Sequence, residues 1–126
     1  MVTPTEITLH QKSRLLEIAF DDGVRYRLPF EFLRVHSPSA EVRGHGPGQE
    51  VLQVGKQEVV ITAVEPAGSY ALKLTFDDGH DSGLFSWDYL RELGQYQNAL
   101  WHKYLGQLEE ANESRDPHHY DETHDV

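Results

Sequence analysis

The chain has no cysteine among its 126 residues. Disulfides, thiolate metal sites and thiol nucleophiles are all excluded by that one absence. No apolar run approaches the ~20 residues of a membrane span, and no basic-then-apolar signal pattern opens the sequence. Basic charge is also scarce: 11 Lys and Arg stand against 21 Asp and Glu, a net charge of −10. An acidic surface without a basic stripe repels phosphate backbones and anionic lipid, which argues against nucleic-acid and membrane partners. A cytoplasmic protein is the expectation. At this length one domain is expected, able to bury about two-thirds of its unfolded surface without staples.

What is present is a series of short strand patterns separated by turn signals. Residues 5–10 alternate polar and apolar, the period of a half-buried strand, and 14–20 read as a second strand. Asp21-Asp22-Gly23 signals a hairpin, because Gly takes positive φ freely and Asp tolerates it. Val24–Leu28 form a third strand, and Pro29 opens a short helix over Phe30–Val35. Residues 36–50 are loop-like. Strands are expected at Glu58–Ala63 and Tyr70–Phe76, with a turn at Glu65–Gly68 between them. Asp77-Asp78-Gly79 is a second hairpin signal, followed by a short strand near Gly83–Phe85. Ser86 caps a helix over Trp87–Leu93 that Gly94 ends. A last helix near Gln97–Ala111 carries Leu100, Trp101, Tyr104, Leu105 and Leu108 at the 3.6 period.

An internal repeat organises these elements. Ile18-Ala19-Phe20-Asp21-Asp22-Gly23 leads through a strand to Phe30-Glu31-Phe32-Leu33-Arg34. Leu74-Thr75-Phe76-Asp77-Asp78-Gly79 leads in the same way to Trp87-Asp88-Tyr89-Leu90-Arg91. The expected class is α+β, with antiparallel β-sheets built from two pseudo-repeated strand–turn–strand–helix units and a C-terminal helix. That domain occupies residues 1–111. Residues 112–126 are polar and acidic and read as a disordered tail.

The ordered set of Phe-Asp-Asp-Gly turns, Leu33-Arg34 before a loop, and Gly79-His80 ahead of Trp87-Asp88-Tyr89-Leu90 resembles the N-terminal domain of the gamma-butyrobetaine hydroxylases. That family also occurs as stand-alone bacterial proteins of unknown function, and the resemblance covers roughly residues 5–108. It implies a structural zinc module beside a catalytic oxygenase domain. The ligands in such relatives come from a Cys-x-Cys-x-x-Cys loop after Leu-Arg and from a histidine after the second Asp-Gly. Carried onto this chain, those positions are Ser37, Ser39 and Val42, with His80 as the fourth. A serine hydroxyl is a poor, protonated donor and valine donates nothing, whereas zinc needs three or four N, S or carboxylate donors. The implied zinc site is therefore degenerate, and no cofactor is expected. The oxygenase iron site would need two His and a carboxylate on a barrel. The one His-x-Asp, His119-Tyr120-Asp121, falls in the acidic tail, and the chain is too short to add a barrel. The same domain type also resembles a module fused to P-loop iron–sulfur carrier ATPases, which implies by analogy of fold an accessory role in cluster trafficking.

No catalytic residue is assigned: the serines lack a Gly-x-Ser-x-Gly elbow. The Asp pairs are explained by their hairpins, and the Gly44–Gly48 loop lacks a Walker ending. The main expectation is a non-catalytic accessory or protein-interaction module. Its binding residues would be Arg34, Arg43, His45 and His80, its partner a protein of unspecified identity. The alternatives are a zinc- or iron-binding protein, with His36, His45 and Asp81 joining His80 as ligands, and a non-catalytic subunit completed by an oxygenase or carrier ATPase. His118-His119 and His124 read as part of a solvated tail.

Overall fold

The computed structural model describes residues 2–118. Strands β1 (Pro4–His10), β2 (Leu15–Phe20) and β3 (Arg25–Pro29) form one antiparallel sheet in that order, and helix α1 (Phe30–Val35) follows. A four-residue helix, α2 (Ala40–Arg43), interrupts the long loop. Strands β4 (Ile61–Ala67), β5 (Ala71–Phe76) and β6 (Leu84–Ser86) form the second antiparallel sheet. Helices α3 (Trp87–Gln95) and α4 (Gln97–Glu110) close the chain's regular structure. The α+β class, the two sheets and the C-terminal helix agree with the sequence pattern.

The repeat is visible in backbone detail. In one turn Phe20 N–H donates to Val24 O and Gly23 N–H to Phe20 O; in the other Phe76 N–H donates to His80 O and Gly79 N–H to Phe76 O. Gly23 and Gly79 sit at φ 87° and 88°, the left-handed conformation that favours glycine. Asp22 Oδ1 accepts from Val24 N–H and Asp78 Oδ1 from His80 N–H, each at 3.2 Å. His80 therefore occupies the place of Val24 in the first unit. Alternation along the central strands buries Leu16, Ile18 and Phe20 from β2 and Leu72, Leu74 and Phe76 from β5. These join Leu28, Phe30, Phe32, Phe85, Trp87 and Leu90 in one core. Each such side chain contributes about 1.5–3 kcal/mol by leaving water.

The two units are also cross-linked by charge. Arg34, at the end of α1, donates from Nε to Asp78 of the second turn at 2.9 Å. Arg91 of α3 pairs with Asp22 of the first turn at 3.0 and 2.5 Å, and its guanidinium lies 5.0 Å from the Phe20 ring centre. Each helix thus holds the other unit's hairpin.

Four expectations are corrected. The strand expected at Glu58–Ala63 runs instead over Ile61–Ala67, and the turn moves to residues 68–70. Pro66 is tolerated inside it because β4 is an edge strand, where a missing N–H costs no ladder bond. Val60 is held outside the ladder by Asp77, whose Oδ1 accepts its N–H at 3.0 Å. The loop over 36–50 contains α2. Gly94 does not end α3, which continues to Gln95; a Cβ there would meet the Tyr26 ring at 2.3 Å, so the glycine serves close packing. Finally, the tail expected to be disordered from residue 112 is built onto the body as far as it is described. Gly55 N–H donates to Ser114 O and Gln57 N–H to Arg115 O, both at 2.9 Å. Arg115 forms a two-pronged pair with buried Glu31 at 2.7 and 2.8 Å and lies over Trp101. The remaining tail residues, including His119, Tyr120, Asp121 and His124, lie outside the described residues.

Candidate functional site

The first turn after α1 and the second Asp-Asp-Gly hairpin meet beneath the 36–50 loop. Their meeting point is His80, 5% exposed, with Ser37 and Ser39 beside it. His80 Nε2 stands 2.8 Å from Ser37 Oγ and 3.3 Å from Ser39 Oγ. Its other nitrogen, Nδ1, is 3.2 Å from Glu41 Oε2. A ring donating from Nδ1 to the carboxylate and accepting the Ser37 hydroxyl proton at Nε2 satisfies this arrangement. Ser37 Oγ also accepts from Ser39 N–H at 3.4 Å. Among the described residues no buried side-chain polar atom lacks a partner.

The order Ser, His, Glu is that of a hydrolase relay, so its access matters. Ser37 is 1% exposed. Gly83 and Pro38 close over it: a Cβ added to Gly83 would lie 2.3 Å from Ser37 Oγ. The Ser37 hydroxyl is thus enclosed and engaged with His80. The donor set does not fit zinc. Ser37 and Ser39 offer neutral hydroxyls, Val42 offers no donor, and the His80 Nε2 facing them is 2.8 Å from Ser37 Oγ.

The alternative ligand set is not gathered. His36 turns its Nδ1 to Phe32 O at 2.9 Å and packs on the Phe32 and Tyr104 rings. Asp81 faces Lys73 at 3.8 Å. His45 sits on the far side of the loop, and among the described residues no three His, Asp or Glu side chains converge as a metal site. Two of the expected binding residues are also withdrawn from the surface. Arg34 is 7% exposed, held by Asp78 and by Gln53 Oε1 at 2.9 Å, and His80 lies in the serine cluster. Burial opposes ionisation of Asp78, yet Lys56 and Arg34 beside it hold its carboxyl below the ordinary value.

What is open is a cleft of about 880 Å³ on the outer face of the same loop, between it and helices α3 and α4. Arg43 and His45 line it, as expected, with Lys103 and Tyr104 from α4 and Tyr89 from α3. Tyr89 OH donates to His36 O at 2.6 Å and Tyr104 OH to Gln53 O at 2.7 Å, so both rings are fixed. Arg43 lies 4.9 Å from the Tyr89 ring centre. Burial lowers the His36 pKa and pushes Tyr104 up to about 12. Glu41 and Lys103 carry no motif in the sequence. Their one sequence signal is position: Glu41 lies inside the 36–50 loop, and Lys103 one residue before a core tyrosine.

The gamma-butyrobetaine hydroxylase-like, N-terminal family model matches residues 7–91. The chain belongs to that family. Two solution structures determined by NMR are similar to it: one at 55% identity, covering 96% of this chain and 95% of the other with a TM-score of 0.82. The second is at 50% identity, covering 93% and 87% with a TM-score of 0.81. A crystal structure of a protein of unknown function from the DUF971 family of Acidithiobacillus ferrooxidans is 40% identical. It covers 73% of this chain and 92% of that one, with a TM-score of 0.62. No curated protein matches the chain. Among the described residues no helix is long and apolar enough to cross a membrane.

Proposed function

We propose that this member of the gamma-butyrobetaine hydroxylase-like, N-terminal family is a non-catalytic accessory module that docks to a partner protein. Its docking face is the outer side of the 36–50 loop. The observation that carries the reading is the sealed cluster of Ser37, Ser39 and His80, with all its hydrogen bonds made internally. In this reading the cluster replaces metal as the clip that pins the loop to the second hairpin. The chemistry-bearing groups face inward and are inaccessible, while Arg43, His45 and Val51 face outward. Loops held on rigid scaffolds are where binding concentrates. The nearest thing to a catalytic constellation is a support for a surface.

A photo-crosslinking residue placed at His45 in living cells tests this, with the same residue at exposed Lys12 as control. A discrete covalent adduct specific to position 45 is expected. Crosslinking no greater at 45 than at 12 would refute a docking role for the loop.

A further inference from the structure

We propose that the cleft takes an acidic, partly apolar segment of the partner protein, with its carboxylates held by Arg43 and Lys103. This rests on the docking reading above and adds the partner's chemistry.

The distribution of cations carries the inference. Of the 11 Lys and Arg side chains, Arg25, Arg27, Arg34, Lys56, Lys73, Arg91 and Arg115 are engaged by carboxylates of the chain itself. Carboxylates outnumber cations almost two to one, so intramolecular pairing is the rule. Among the described residues Arg43 and Lys103 have no such ion pair, and both line the cleft. They come from different elements, α2 and α4, and so converge only in the fold. Among the described lining residues the carboxylate is Glu50. It accepts from the Gly48 N–H at 3.3 Å, and backbone hydrogen bonds from its own loop, with a smaller contribution from the charge of Lys103, hold its pKa below the ordinary value. Glu50 is tied first to its own loop and makes no ion pair with Lys103 among the described residues.

The rest of the lining sets what accompanies the charge. Tyr89 and Tyr104 have their hydroxyls engaged by backbone carbonyls, so they offer no free donors; Tyr104 is 4% exposed and forms part of the floor, and Arg43 lies over the Tyr89 ring. Leu100 lies between them in the lining, and Val51 stands 51% exposed on the loop. Apolar lining with a few convergent polar groups is the usual make-up of a binding cleft, and about 880 Å³ lies within the common range of about 300–1,000 Å³. A segment alternating carboxylates with apolar side chains would satisfy both the cations and the aliphatic lining of Val51, Leu52 and Leu100. The molecule's overall charge of −10 repels such a segment at a distance. Attraction must then come from contacts inside the cleft, within a screening length of about 8 Å. Charge neutralisation at the two cations is accordingly a sharper test than salt.

The test is fluorescence anisotropy with the full chain and a fluorescein-labelled peptide alternating glutamate and leucine, against its glutamine–leucine counterpart. The acidic peptide should bind, and the neutral one should bind about tenfold or more weakly. The double variant R43Q/K103Q should weaken the acidic peptide by a similar factor. K12Q, which removes a cation outside the cleft, should change nothing, and thermal melts confirm that each variant is folded. Equal binding of the two peptides, no binding of either, or an unchanged double variant would overturn the acidic partner. A position-specific crosslink at His45 combined with any of those results would leave docking intact and remove only this inference. Loss of the crosslink would remove docking itself.

Discussion

At residue 80 a buried imidazole stands 2.8 Å from a serine hydroxyl. The contact depends on a neighbour with no side chain. Gly83 lies where a Cβ would come 2.3 Å from Ser37 Oγ and 3.2 Å from Pro38 Cδ. Gly83→Ala should therefore displace Ser37 from His80 and cost about 1–3 kcal/mol in urea unfolding. An unchanged midpoint would mean that the loop yields freely and the contact is weak. Part of this was legible in advance. The spacing of Ser37, Ser39 and His80 against the family pattern points to these three residues as neighbours, and they are. Glu41 was not legible, because no motif marks a carboxylate that matters only when a loop folds over a hairpin 39 residues away.

At the scale of elements, the two Asp-Asp-Gly hairpins, α1 and the Ser86 cap were readable because local chemistry decides them. Ser86 Oγ accepts from Tyr89 N–H at 3.1 Å, as the capping pattern predicts. The bounds of β4 and the end of α3 were not readable, because neighbours decide them. Pro66 and Gly94 both look like terminators in sequence, and both lie inside elements. Gly94→Ala separates the two influences. Alanine favours helix by about 1 kcal/mol, but its methyl would strike the Tyr26 ring at 2.3 Å. The net effect should be destabilising, by about 1–3 kcal/mol of overpacking; a stabilised variant would show that the ring moves aside. The charge cross-links have a pH signature. Hydrogen bonds from Arg91 lower the Asp22 pKa to about 2, from an ordinary 3.8. Between those values the unfolded chain takes up protons that the folded chain refuses. The stability Asp22 contributes is thus present above pH 4 and lost as pH falls towards 2. The stability gap between the native chain and Asp22→Asn should narrow across that window in acid-series urea melts. A constant gap would contradict the pair.

For the whole molecule, the pattern of strand and helix signals gives the α+β class, and the repeat indicates two similar units. It did not reveal how they lock together: each helix reaches the other unit's turn, a relation no local pattern carries. Nor did acidity alone predict the fate of the segment after α4. One base among its acids, Arg115, anchors it on Glu31, whose side chain is 8% exposed. Arg115→Ala should leave that carboxylate buried without its partner, costing about 1–3 kcal/mol. It should also release residues 113–117, seen as faster amide exchange at Gly55 and Gln57. Protection unchanged at those two amides would show that the strap holds without its arginine.

In the proposed reading a hydrogen-bonded serine–histidine cluster, rather than a metal, clips the docking loop to the fold. The direct measurement is metal content by mass spectrometry on untagged, natively purified protein, joined to thermal melts with and without chelator. Zinc and iron far below stoichiometry, and the same melting temperature in both melts, are expected. Near-stoichiometric metal, with a melting temperature that drops on chelation, would show that a metal holds the loop.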